Sequence, residues 1–358
     1  MSDSTLDQLR DRIDALDEKI QTLLNERAAC AQQVAEAKQN NDENVFYRPE
    51  REAEILRRVR ERNKGPLSGD EIVRLFREIM SACLALEQPL AVAYLGPEGT
   101  YTQAAAQKHF GHSVSLKPLA AIDEIFREVE AGSADFGVVP VENSTEGAIN
   151  HTLDMFIRSP LKICGDVELQ IHHQLLASGK SLDQIRNVRG HQQALAQCRE
   201  WLDANLPGVE RVAVSSNAEA ARLAHDDASI AAIASDAAAE MYELNILANN
   251  IEDDPNNTTR FLVVGRQEVG PSGNDKTSLM VAVHNKAGAL YALLEPIARH
   301  GVSMTKIESR PSRVSKWDYV FFVDVEGHVE DENVAAALKE LASEASLLKV
   351  LGSYPRCK

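Results

Sequence analysis

LRDRIDALDEKIQTLLNERAACAQQVAEAK, residues 9–38, reads as one long amphipathic helix with a charged flaw in its apolar seam. Leu9, Ile13, Leu16, Ile20, Leu23, Cys30 and Val34 recur at alternating spacings of four and three, the period of a buried helical stripe. Position 27 belongs to that series and is arginine, and one turn beyond Val34 stands Lys38. A cation on a buried face is costly unless an anion meets it. The seam therefore reads as one wall of an anion site in a helical bundle.

Arg27 and Lys38 are separated by about three helical turns and share a face. Arg10 flanks the same seam about 25 Å away along the axis. A small ligand reaches both ends only if Arg10 comes from a second copy of the chain. The rest of the first 90 residues carries no strand signal. Arg48-Pro49 opens a second helix to about Arg62, with proline at its first position. Ser68 with Glu71 announces a third, bearing Ile72, Phe76, Ile79 and Cys83 on one face. Glu87 extends that face by one turn, and Glu52 lies in the first turn of the second helix. Three cations and two carboxylates around an apolar seam suit a small dicarboxylate, which such a site can transform by fixing a reactive conformer. Interhelical salt bridges beside a coiled-coil seam are the plainer alternative.

From Leu90 the texture changes to strands alternating with helices: AVAYLG, FGVVPV, ICGDVELQIHHQLLAS, ERVAVSS, SIAAIAS and FLVVG are strand-like. The expectation is an α/β region with largely parallel sheets, in two lobes facing a cleft. Three polar loops punctuate it: GPEGTYTQAA (96–105), VENSTEG (141–147) and NNTTRF (256–261). Gly96 and Gly99 allow backbone N–H groups near a ligand, and Thr100 and Thr102 begin a helix. None of these is a GxGxxG or P-loop, and each alone also fits ordinary turn chemistry. His172 and His173 lack the neighbouring ligands that a metal site requires. After a Gly/Pro-rich linker at 267–276, the last 80 residues read βαββαβ, a small α+β domain.

The net charge of −16 with no basic run excludes nucleic acid and anionic membrane as natural partners. No apolar run approaches membrane-spanning length and the polar start carries no signal-peptide core, so a cytoplasmic protein is expected. Five scattered cysteines read as reduced thiols.

LRDRIDALDEKI, LLNERAACAQQVAEAK and FYRPEREAEIL resemble the all-helical chorismate mutase family. The resemblance implies an intertwined homodimer that rearranges chorismate to prephenate. It places Arg27 and the second copy's Arg10 on the carboxylates, Lys38 on the ether oxygen and Glu52 on the ring hydroxyl. Cys83 and Glu87 stand where the family often has serine and glutamine, so Glu87 serves the ether oxygen only when protonated.

AYLGPEGTYTQAA, GVVPVENSTEGAIN, HQQALAQC and NTTRF resemble the prephenate dehydratases, which fold like two-lobed periplasmic binding proteins and convert prephenate to phenylpyruvate. The matching threonine of the TRF motif is Thr259, implied to be essential. Glu142, Asn143, Ser144 and Gln193 are implied supporting groups, and Thr100 and Arg260 serve binding or orientation. Gly190 stands where the family commonly has serine.

HNKAGALYALL and KIESRPSR resemble the phenylalanine-binding ACT domain. The matching positions are Asn285, Gly288, Ala289, Leu290, Glu308, Ser309, Arg310 and Pro311. The expected division is a mutase at 1–91, a dehydratase at 92–267 and an ACT domain at 277–354. The chain is then a bifunctional enzyme of phenylalanine biosynthesis with feedback inhibition, needing no cofactor and forming a homodimer or higher homo-oligomer. A non-enzymatic metabolite-binding regulator leaves Arg27, Lys38 and Glu87 unexplained. A mutase paired with a dehydrogenase lacks its nucleotide-binding motif.

Overall fold

The computed structural model describes residues 3–40, 47–283, 287–311 and 319–356. They divide into two units, Met1–Leu90 with Phe110–Ser115 and Ala91–His109 with Leu116–Lys358.

The first unit contains α1 (Asp3–Asn40), α2 (Pro49–Arg62) and α3 (Gly69–Glu87). Their ends follow the expected local chemistry. Pro49 occupies the first turn of α2, where its missing N–H costs nothing. The Ser68 hydroxyl accepts from the Glu71 N–H at 3.1 Å and caps α3. Leu56 and Val59 of α2, Met80 and Cys83 of α3, and Ala35 of α1 are buried. The apolar stripe of α1 is not, and Cys30 and Val34 at its C-terminal end are exposed like the rest. Leu9, Ile13, Leu16, Ile20 and Leu23 are 49–63% exposed, a row of large apolar side chains facing solvent.

The second unit begins with β1 (Ala91–Leu95), α4 (Tyr101–Phe110), β2 (Ser115–Leu119), α5 (Ile122–Glu130), β3 (Phe136–Asn143), β4 (Gly147–Ala148), α6 (Asn150–Arg158) and β5 (Lys162–Gln170). A second lobe follows: β6 (Gln174–Ala177), β7 (Asn187–His191), α7 (Gln192–Gln197), α8 (Arg199–Asn205), β8 (Glu210–Val214), α9 (Asn217–Asp226), β9 (Ile230–Ala234), α10 (Asp236–Met241) and β10 (Asn245–Ala248). Strand β11 (Thr258–Gly265) then returns to the first lobe. The sheets run β2-β1-β3-β11-β5, with β4 on β3, and β10-β6-β9-β7-β8.

These sheets are mixed, not largely parallel. β1 is parallel to β3, and β7 is parallel to β8 and β9. β11 is antiparallel to both β3 and β5, and β6 is antiparallel to β9 and β10. The cause is the path between lobes. The stretch read as one strand, ICGDVELQIHHQLLAS, breaks at residues 171–173, so β5 and β6 belong to different sheets. The chain comes back through residues 249–257, and β11 enters the first sheet in the reverse sense.

The unit ends as β12 (Asp275–Val283), α11 (Ala289–Arg299), β13 (Met304–Pro311), β14 (Tyr319–Glu326), α12 (Glu332–Glu344) and β15 (Leu347–Pro355), the expected βαββαβ order. Its antiparallel sheet runs β13-β14-β12-β15. Met280, Val320, Phe322, Leu351 and Tyr354 from this sheet share one apolar core with Val139, Val141, Leu153, Phe156 and Leu262 of the first lobe. At Gly352 the backbones meet so closely that a Cβ would lie 2.2 Å from the Ile163 carbonyl oxygen. Among the described residues no helix is long and apolar enough to cross a membrane.

Candidate functional site

In the helical unit, Arg27 and Lys38 are half-buried on α1, and Glu87 lies in the last turn of α3. Burial raises the Glu87 carboxyl above its ordinary pKa, while the nearby charges of Lys38 and Arg27 pull it partly back. The three groups thus share one electrostatic neighbourhood. Glu52 of α2 is more deeply placed. Burial pushes it up to about 7, against the opposing pull of Arg77 and a hydrogen bond from Tyr47. Arg77 of α3, which the sequence reading passed over, sits with Nε 3.6 Å from the Glu52 carboxylate. Its only signal was position, one turn before the buried Met80. Cys83 is buried on the same helix. Arg10 lies apart from these groups, exposed, and meets Asp7 of its own helix at 3.3 Å.

In the α/β unit, antiparallel pairing sets Thr259 at the start of β11 opposite Asn143 at the end of β3. Asn143 Nδ2 donates to Thr259 Oγ1 at 2.8 Å and to Asn257 Oδ1 at 2.9 Å. Asn143 Oδ1 accepts from the Thr145 hydroxyl at 2.6 Å and from the backbone N–H groups of Thr145 and Glu146. Asn257 Nδ2 donates to Gln197 Oε1 at 3.1 Å, and Gln197 Nε2 donates to Thr145 Oγ1 at 3.0 Å. His173 Nε2 also meets Gln197 Oε1, at 3.0 Å. This closed ring ties the two lobes together where the chain crosses between them. Burial lowers the His173 pKa, so its ring is neutral near pH 7. The Tyr101 hydroxyl donates to the His172 carbonyl at 2.6 Å and adjoins the His173 ring.

With its Oδ1 taken by Thr145 and Glu146, Asn143 turns its N–H to Thr259, whose Oγ1 accepts that bond. Its own O–H proton is left to donate elsewhere. Asn257, Gln197, Thr145 and His173 were missed as site residues. The pair of histidines was weighed only as metal ligands, and among the described residues no cluster suited to a metal is present.

Three family models match the chain: chorismate mutase type II over residues 9–88, prephenate dehydratase over 92–269 and ACT domain over 277–343. The bifunctional chorismate mutase/prephenate dehydratase of Stutzerimonas stutzeri is 59% identical over 98% of both chains. The chain belongs to that family. The protein of the same name from Pseudomonas aeruginosa is 57% identical, again over 98% of both. A solved prephenate dehydratase from Arthrobacter aurescens, in complex with L-Phe, superposes with a TM-score of 0.69 at 36% identity, covering 75% of this chain and 90% of that one.

The remaining expected positions in the dehydratase domain divide sharply. Thr100 Oγ1 donates to the Leu95 carbonyl at 3.1 Å, and the Gly96 and Gly99 N–H groups are taken by Leu119 and Gln103. The Ser144 hydroxyl accepts from the Thr258 N–H at 2.9 Å. Gln193, exposed at the start of α7, donates to Glu146. His191 caps α7, its Nδ1 accepting the Gln193 N–H.

Glu142 and Arg260 do not accompany Asn143 and Thr259. Glu142 meets Lys306 of the ACT domain at 2.6 Å. Arg260 is held by Asp166 at 3.0 Å, Asp324 at 2.7 Å and the Tyr354 hydroxyl at 3.0 Å. Arg260 was expected to serve binding or orientation, and alternation along the strand sets it on the other side of β11 from Thr259, because neighbouring residues face opposite sides of a sheet.

In the ACT domain, Gly288 precedes α11 with φ +82°, a conformation that glycine adopts freely. Ala289 and Leu290 form the first turn of α11, and Leu290 is exposed. Glu308, Ser309, Arg310 and Pro311 lie on the edge strand β13, where Arg310 meets Asp154 at 2.9 Å. Asn285 lies outside the described residues.

Proposed function

We propose that the chain rearranges chorismate to prephenate in the helical domain, converts prephenate to phenylpyruvate at the ring around Asn143 and Thr259, and binds phenylalanine in the ACT domain. The Asn143–Thr259 hydrogen bond carries the dehydratase reading. In that reaction the bond from the ring to the carboxylate breaks, and its electron pair moves into the ring as the opposite C–OH bond breaks. Carbon dioxide leaves, and the departing hydroxide takes a proton to become water. An unperturbed threonine is too weak an acid to protonate the leaving group outright. Thr259, oriented by Asn143, instead donates a hydrogen bond to the hydroxyl as negative charge gathers on it. Gln193, Ser144 and Thr100 support the pocket around it.

In the mutase, Arg27 and Arg10 of the partner subunit hold the two carboxylates, Lys38 meets the ether oxygen and Glu52 the ring hydroxyl, with Cys83 lining the site. The exposed Leu9–Leu23 stripe supports a homodimer, since a second copy of α1 covers it and brings the missing arginine. Glu87 shares the ether oxygen with Lys38 when it carries a proton.

Incubation of the purified protein with chorismate alone tests the proposal. Chorismate is expected to disappear, with transient prephenate and then phenylpyruvate, and phenylalanine is expected to slow the second step. Ligand binding without turnover would reject it.

A further inference from the structure

The two strands that carry Thr259 and Asn143 have a second face, and that face is occupied by the ACT sheet. Arg260 pairs in register with Glu142, immediately beside the Thr259–Asn143 pair. Arg260 and its partners form a buried, balanced cluster: Asp166 also accepts from Lys276 at 2.9 Å, and Asp324 from the Ser278 hydroxyl at 2.5 Å. Asp166 and Arg260 lie on β5 and β11 of the dehydratase sheet, whereas Lys276, Ser278, Asp324 and Tyr354 lie on β12, β14 and β15 of the C-terminal sheet. Glu142, the register partner of Arg260 on β3, is bonded to Lys306 of β13.

Along β13 the even-numbered residues 306, 308 and 310 are the better-covered ones, and the odd-numbered face is exposed. Lys306 grips β3 through Glu142, and Arg310 grips α6 through Asp154. Both lie in or beside the segment 308–311 assigned to phenylalanine. A small cavity lined by Val141, Leu153, Arg260, Lys306, Phe322 and Asp324 adjoins these pairs, beside the apolar core that the two sheets share.

We propose that Glu142 and Arg260 are positioning residues that never touch prephenate. They tie the strand pair bearing Asn143 and Thr259 to the ACT sheet, and the Lys306–Glu142 pair passes the state of β13 to the hydroxyl of Thr259. The regulatory half of this proposal rests on the assignment of phenylalanine to 308–311; the positioning half does not.

The test uses full-length variants, with dehydratase turnover measured on prephenate. Glu142→Lys is expected to lose about thirtyfold or more in kcat/KM, as an attraction between partly covered side chains becomes a repulsion, and Glu142→Lys combined with Lys306→Glu to return within about threefold of wild type. Glu142→Gln, which keeps the shape, is expected to lower kcat with KM within about threefold of wild type. In Lys306→Met, calorimetry should still detect phenylalanine binding while saturating phenylalanine leaves most turnover intact. A swapped pair as impaired as Glu142→Lys, or a raised KM at unchanged kcat in Glu142→Gln, would overturn the positioning role. Lys306→Met inhibited as fully as wild type would overturn the regulatory link. A wild-type chain that binds no phenylalanine would reject the effector assignment instead, and the charge swap would still decide the positioning role.

Discussion

The helical domain and the dehydratase domain place their polar groups in opposite ways. In the dehydratase, Asn143, Thr145, Gln197 and Asn257 satisfy one another within a single chain, and the strands beneath them are buried on both faces. In the helical domain, Arg10 stands exposed on a helix whose apolar stripe is also exposed. The first arrangement is assembled by folding alone. The second has its charges in place but lacks a cover. A large apolar row in water is unfavourable at about 25 cal/mol per Å² of exposed area, and the homodimer proposed above would cover it.

The sharpest break in the comparison comes from Thr259→Ala. Loss of one donor at a site of developing charge typically costs about 10²–10³ in turnover. Phenylpyruvate formation should fall by that much while chorismate consumption holds, so prephenate accumulates. Loss of both activities would mean that the two sites are not separate.

A smaller effect distinguishes the electrostatics of the two domains. Glu87 is raised by burial, so its protonated fraction, and with it mutase turnover, should fall as pH rises through that raised value. Glu87→Gln should flatten the profile, and a wild-type profile flat from acid to pH 8 would remove Glu87 from the mechanism. The dehydratase ring is built from neutral amides, hydroxyls and a neutral imidazole, so its turnover should not follow the Glu87 titration.

The smallest effect is on stability. Glu52 has a folded-state pKa of about 7 against an ordinary 4.5. Its contribution is most favourable below the unfolded value and is lost as pH rises through about 7, amounting to about 3 kcal/mol at most. Thermal melts of the full chain should show the helical transition drifting downward between those values, and Glu52→Gln should weaken the drift.

What the sequence disclosed follows the range of the interactions involved. Ser68 with Glu71 and Pro49 are local signals, and the helix ends fall where they indicate. The βαββαβ order was legible for the same reason. The break at residues 171–173 was not, because Ile171-His172-His173 carries no turn residue and only the pairing of β6 with β9 moves it to another sheet. Asn143 and Thr259 were legible through their motifs, but Asn257, Gln197 and His173 join them only through folding. Arg260 was legible through the same motif for binding or orientation, but the motif does not reveal which side of β11 lies against the ACT sheet. Arg77 had no signal beyond a position on a partly covered helix face.

The claim that one site is complete in a single chain and the other is shared between two is tested most directly by mixing variants. Arg10→Ala and Arg27→Ala chains, each nearly devoid of mutase activity, are co-refolded in equal amounts and assayed on chorismate and on prephenate. If the site is shared, half the dimers pair one chain of each kind and contain one intact site, so mutase activity returns to about a quarter of wild type. Dehydratase turnover on prephenate should be undiminished in both parents and in the mixture. A mixture no more active on chorismate than its parents would contradict the account.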